Sequence, residues 1–132
     1  MGNRLLILSA VSGFICVAFG AFAAHGLELT LQQADWIDKG WRYQSFHTVA
    51  LLALGFYVSA TAQNAPACRK SAVNIIGIFW ALGIVLFSFT LYFMALSGNK
   101  NVVMLVPMGG IAFLIGWLTL LFIAIRNSFT QK

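Results

Sequence analysis

Four long apolar runs, separated by short polar stretches, organise this chain. The first extends from Leu5 to Ala24 without a charged residue, between Arg4 and His25. A second element opens on the mixed stretch Trp36 to Tyr43 and turns apolar from Gln44 to Ala60; the third run is Val73 to Leu96 and the fourth Val102 to Ile125. A helix of about 20 residues, rising about 1.5 Å per residue, matches a bilayer hydrocarbon core about 30 Å thick. The runs are continuous and lack the period-two alternation of a barrel strand. The pattern therefore predicts an all-α membrane protein: an antiparallel four-helix transmembrane bundle with short loops. It forms one domain, with spans at about 5–24, 41–61, 73–96 and 102–125.

Turn formers punctuate the runs. Asn64-Ala65-Pro66 closes the second and Ser97-Gly98-Asn99 the third. The link between the third and fourth runs is so short that these two form an antiparallel hairpin. The second helix is expected to start near Ala34, where Asp35 and Lys39, four apart, support each other on one face. Trp36, Trp41 and Tyr43 suit an interfacial belt. Ala21-Phe22-Ala23 resembles a signal-peptide cleavage signature, but the apolar stretch before it is longer than a signal core, and it is read as a retained helix.

Composition agrees: 61% of the 132 residues are hydrophobic and only 8% charged, against about 25% charged in soluble domains. The net charge of +5 does not indicate nucleic acid, because the basic residues are scattered at the ends of the runs and Arg69-Lys70 is their densest pair. Their distribution sets an orientation instead. Arg4, Arg69, Lys70, Arg126 and Lys132 fall on one side, and Lys39, Arg42 and Lys100 on the other. The positive-inside rule then puts both termini in the cytoplasm. Cys16 lies in the first run and Cys68 in a loop, with no spacing that suggests a metal set or disulfide framework.

Helices in lipid associate through close packing and interhelical hydrogen bonds. Small residues offer seams: Ser9, Gly13, Val17, Gly20 and Ala24 in the first helix, Gly77, Ala81 and Ser88 in the third, Ala112 and Gly116 in the fourth. Pro107, followed by Gly109-Gly110, predicts a kink within the fourth span.

Polar side chains concentrate in the outer half. His25 ends the first helix, and Tyr43, Gln44 and His47 share one face of the second, with Arg42 one turn outward. Ser88 and Tyr92 belong to the third. An ionisable group in a span is a functional-site hypothesis; the plainer role for His47 is a structural hydrogen bond to a neighbouring helix, with Ser88 or Tyr92 as the expected partner. Arg42 either snorkels to the headgroups or binds an anion such as a lipid phosphate. No span contains a carboxylate, two histidines fall short of a zinc set, and no phosphate loop or nucleophile motif occurs. No catalytic residue, metal or cofactor is expected.

Several of these segments carry a family likeness. Gly20-Ala21-Phe22-Ala23-Ala24-His25, Tyr43-Gln44-Ser45-Phe46-His47-Thr48, Leu86-Phe87-Ser88 with Leu91-Tyr92, and Pro107-Met108-Gly109-Gly110 with Gly116-Trp117 resemble the YgdD family of small bacterial inner-membrane proteins, which has animal relatives. The resemblance spans about Leu5 to Arg126. It implies a four-span inner-membrane protein without an established biochemical function. Two positions depart from the family pattern, where glycine is usual: Ala23 and Phe89. The expected function is a non-enzymatic module that packs against lipid, a further copy or a membrane-protein partner. The alternative is an oligomeric permease for a small solute or ion, with a polar site around His47.

Overall fold

A computed structural model describes residues 2–61 and 67–130. Helix α1 spans Gly2–Gly26 and α2 spans Leu31–Thr61. A third rod is continuous but changes winding: α3 covers Ala67–Gly83, a π-helical segment Ile84–Phe89, and α4 Thr90–Ser97. Helix α5 runs from Leu105 to Thr130. The turn expected at Asn64-Ala65-Pro66 and the terminal Lys132 lie outside the described residues.

Local chemistry sets the boundaries. Helix α2 starts at Leu31, not near Ala34, because Thr30 and Gln33 form a reciprocal cap. The Gln33 backbone N–H donates to Thr30 Oγ1 at 3.3 Å, and the Thr30 N–H donates to Gln33 Oε1 at 2.9 Å. This capping box satisfies two otherwise orphaned N–H groups. Two acid–base pairs follow on the exposed face, Asp35–Lys39 at 2.6 Å and Asp38–Arg42 at 2.9 Å. Helix α3 begins at Ala67, so Cys68 belongs to its first turn and not to a loop. Helix α4 stops at Gly98, whose φ of 68° lets its N–H reach the Met94 carbonyl; only glycine takes this left-handed conformation without strain.

Pro107 corrects a second expectation. Residues 102–104 form turns, closed by Leu105 N–H to the Val102 carbonyl and Val106 N–H to the Val103 carbonyl. Pro107 is thus the third residue of α5, in the first turn, where the N–H it lacks would have little to bond. It marks a helix start, not a kink inside a span.

Neighbouring rods run antiparallel. Gly2 of α1 faces Ser59 of α2, while Gly20 faces Trp41. Gln33 and Gln44 of α2 meet Ala95 and Tyr92 of α4. Gly116 and Gly109 of α5 lie on Trp80 and Phe87. Helix α2 and the third rod form the central pair, with α1 against α2 and α5 against the third rod. Most expected seams are used, with one rotation: α1 buries Leu5, Ser9, Ser12 and Cys16, leaving Val17 exposed.

The molecule is apolar outside and partly polar inside. Phe14, Val17, Phe46, Val49, Ile111 and Leu118 are among many large hydrophobic residues exposed on the helices, whereas Ser9, Ser12, Gln44, His47, Thr48, Ser88 and Thr90 are buried. Three stretches, Gly2–Gly26, Ser71–Ser97 and Leu105–Arg126, are long and apolar enough to cross a membrane. Helix α2 falls outside that group because Gln44, His47 and Thr48 dilute its hydropathy. All three are on its buried face, and the opposite face presents Phe46, Val49, Leu52 and Phe56. This all-α chain is a membrane protein of four helical rods.

Candidate functional site

Three of the predicted polar residues, Gln44, Tyr92 and His47, fall into two buried groups that meet along α2. The first joins α1, α2 and α4. Gln44, with 0% of its surface exposed, uses its whole amide. Its Nε2 donates to the Ser12 carbonyl at 3.0 Å and to Ser12 Oγ at 3.3 Å, and its Oε1 accepts from the Tyr92 hydroxyl at 2.7 Å. Ser12 Oγ and Thr48 Oγ1 share a further bond of 2.6 Å. Such a buried amide is tolerated only when its donors and acceptors are all met. Helix α2 presents Gln44 and Thr48, one turn apart, to the same seam. Gly40 lets Tyr92 approach, since an added Cβ there would sit 2.7 Å from its ring. Below this network Trp41 Nε1 donates to the Cys16 carbonyl at 3.1 Å.

The second group is aromatic and centres on His47, which is 3% exposed. Its imidazole stacks on Phe113, centroids 3.6 Å apart and planes at 12°, with Phe46, Trp80 and Trp117 edge-on around it. Trp117 Nε1 contacts His47 Nε2 at 3.1 Å. Indole N–H only donates, so Nε2 must accept; the ring proton is then on Nδ1 and donates to the Tyr43 carbonyl at 2.8 Å. Both nitrogens of the neutral ring are thereby occupied. The partners expected for His47, Ser88 or Tyr92, are replaced by Trp117 of α5 and the backbone of its own helix, while Tyr92 serves Gln44.

The remaining candidates spread out. His25 is exposed at the end of α1, away from His47. Ser88 is 0% exposed in the π-helical segment, and neither its hydroxyl nor Trp80 Nε1 has a partner among the described residues. Gly109 brings α5 onto the backbone of that segment, with an added Cβ only 2.5 Å from the Phe87 nitrogen. Gly110 faces open space. Arg42 pairs with Asp38 through Nε and stands at the rim of an open groove of about 640 Å³ between α2 and α5. Tyr43, Pro107 and Gly110 line that groove, with His47 at its base.

Sequence reading missed Ser12, Thr48, Trp80, Phe113 and Trp117. Thr48 adjoins His47, and Trp117 lies in one of the resemblance motifs, so a signal for both was present. Phe113 and Trp80 read as ordinary apolar positions in their runs.

The chemistry available is that of neutral donors and acceptors. Ser45 donates to the Trp41 carbonyl at 2.5 Å, so its hydroxyl is turned to its own helix and not to His47. Among the described residues no group of three or more His, Cys, Asp or Glu side chains is placed to hold a metal ion.

Comparison with known proteins places the chain among membrane proteins. A family model described as "Protein of unknown function (DUF423)" matches residues 19–110. A UPF0382 membrane protein of Haemophilus influenzae is 46% identical, covering 100% of this chain and 98% of the relative. The UPF0382 inner membrane protein YgdD of Escherichia coli K12 is 43% identical over 92% of this chain and 89% of its own length. A UPF0382 membrane protein of Staphylococcus saprophyticus is 37% identical over 87% of this chain and 91% of its own. No solved structure matches. The chain belongs to the DUF423 family of proteins of unknown function, among UPF0382 membrane proteins that it matches over nearly their whole length.

Proposed function

We propose that this protein is a non-enzymatic module of the bacterial inner membrane, whose outer surface meets lipid or another membrane protein. One observation carries the reading: the buried polar groups of α2 are spent on partners within the protein. Gln44, Ser12, Thr48 and Tyr92 bond one another, and both nitrogens of His47 are engaged. A transport pathway needs polar groups presented to a water-filled route. In this reading all four rods cross the bilayer as one domain, α2 with its polar face inward, and both termini are cytoplasmic. The alternative, an oligomeric permease with its polar site at His47, keeps one supporting feature: His47 is at the base of a groove.

Purified protein in liposomes separates the two. Stopped-flow osmotic shrinkage with small neutral solutes, and ion-flux dyes, should give rates equal to empty vesicles at any protein density. A flux that rises with protein density and is lost in His47→Phe establishes the permease. Cysteine introduced by Asp38→Cys should react with an impermeant maleimide in intact cells; reaction only after permeabilisation would reverse the orientation.

A further inference from the structure

The groove between α2 and α5 has the layout of a phospholipid site. It begins at Arg42, next to the interfacial acid–base pairs of α2, and continues one to two turns into the span between Phe46 on one wall and Ile111 and Leu114 on the other, with Trp117 at the far end. These walls are apolar and exposed to whatever surrounds the helices: Phe46 is 59%, Ile111 57% and Leu114 62% accessible. Its volume of about 640 Å³ falls within the range of small-molecule sites. At the mouth, Asp38 engages Arg42 only through Nε. Among the described residues its two amino groups make no hydrogen bond, and their fork geometry suits a phosphate diester beside the Asp38 carboxylate.

We infer that one glycerophospholipid occupies this groove, its phosphate on Arg42 and one acyl chain lying along Phe46, Ile111 and Leu114 above the His47–Trp117 bond. The inference rests on the module reading and gives it a ligand class and a place. Cation and apolar trough have to act together: a chain without a phosphate lacks the Arg42 contact, and a phosphate without a chain leaves the trough uncovered. Gly110 lines the trough. An added Cβ there would meet nothing within 4 Å, so the backbone leaves room for a side chain to start into the groove and narrow it.

The test uses the full chain in membranes containing a phospholipid with a photoreactive diazirine in one acyl chain, or diacylglycerol with the same chain. Adducts are mapped by peptide mass spectrometry. Labelling of the α5 peptide around Ile111 and Leu114 is compared with labelling of α1 around Ile7, Val11 and Phe14, which are equally exposed. With the phospholipid, the α5-to-α1 ratio should be about twofold to fivefold higher than with diacylglycerol, the upper figure being that of one unpaired interfacial cation and the lower allowing for the Asp38 carboxylate beside Arg42. Arg42→Gln should abolish that difference. Gly110→Leu should bring the phospholipid ratio to that of bulk lipid while leaving the thermal unfolding temperature close to wild type. Equal labelling of the two faces by both probes overturns the inference, as does a Gly110→Leu variant that folds and labels like wild type. Chain-to-chain adducts at this groove would assign it to a second copy instead. None of these outcomes depends on solute flux, so the site can fail while the module reading stands.

Discussion

The two seams along α2 bury polar atoms by different means. Between α1, α2 and α4 the solution is saturation: Gln44, Ser12, Thr48 and Tyr92 meet one another's hydrogen-bonding needs across three helices. Between α2, the third rod and α5 the solution is enclosure. His47 is clamped by rings and one Trp117 bond, while Trp80 Nε1 and Ser88 Oγ have no partner among the described residues. In lipid an unmet polar group has no water to return to, so saturation raises the cost of losing any member. Enclosure instead relies on backbone approach and ring contact, whose attraction offsets the cost of the unmet polar atoms. The first seam should be sensitive to chemistry, the second to volume.

Changes in stability, measured by reversible unfolding in mixed detergent micelles with circular dichroism as the signal, test this contrast. The largest effect is expected from Gly109→Ala. The added methyl meets the backbone at Leu86 and Phe87, which cannot swing aside, and the cost should be about 3 kcal/mol. A loss under about 0.5 kcal/mol would show that the second seam is loosely packed. Gln44→Leu nearly conserves volume but strands the Tyr92 hydroxyl and removes the donor that Ser12 receives beyond its helical bond, and should cost about 2 kcal/mol. Were it neutral, saturation would not govern the first seam.

His47→Phe keeps a ring over Phe113 and strips Trp117 of its acceptor, so a smaller loss of about 1 kcal/mol is expected. The smallest effect, and the most discriminating, is Ser88→Ala. Removing a buried hydroxyl that has no partner among the described residues should leave stability unchanged or raise it by less than about 1 kcal/mol, whereas Ser12→Ala should lower it by about 1. If the two serine variants behave alike, the distinction between the seams fails.

Much of the scaffold was legible in the residues. The apolar runs located every rod, because helix length and bilayer thickness impose the same scale on each. Ala112 and Gly116 on α5, and Gly77 on α3, are buried at helix contacts as their spacing predicted. The Asp35–Lys39 pair needed only the four-residue rule. The site was legible as a list but not as a wiring. Gln44, His47 and Tyr92 were marked by their polarity, yet the partners of His47 could not be chosen. Trp117 is 70 residues away in sequence, and whether a helix turns it toward His47 depends on the winding of the rod between. Pro107 reads as interior to a span for a related reason: hydropathy continues through Val102–Met104, although the backbone there forms turns. The Thr30–Gln33 cap was visible as a motif and would have corrected the start of α2.

That winding has a consequence for how the protein tolerates changes in length. The π-helical segment Ile84–Phe89 accommodates extra backbone within one turn, bonding five residues apart instead of four. Deleting one residue within it would restore regular α-helical winding and leave Trp80 and Tyr92 on their present faces. A deletion outside that segment but between Trp80 and Tyr92 would rotate everything beyond it by about 100° and swing Tyr92 away from Gln44. The chain therefore has one place near mid-rod where a codon can be lost without rewiring the bundle.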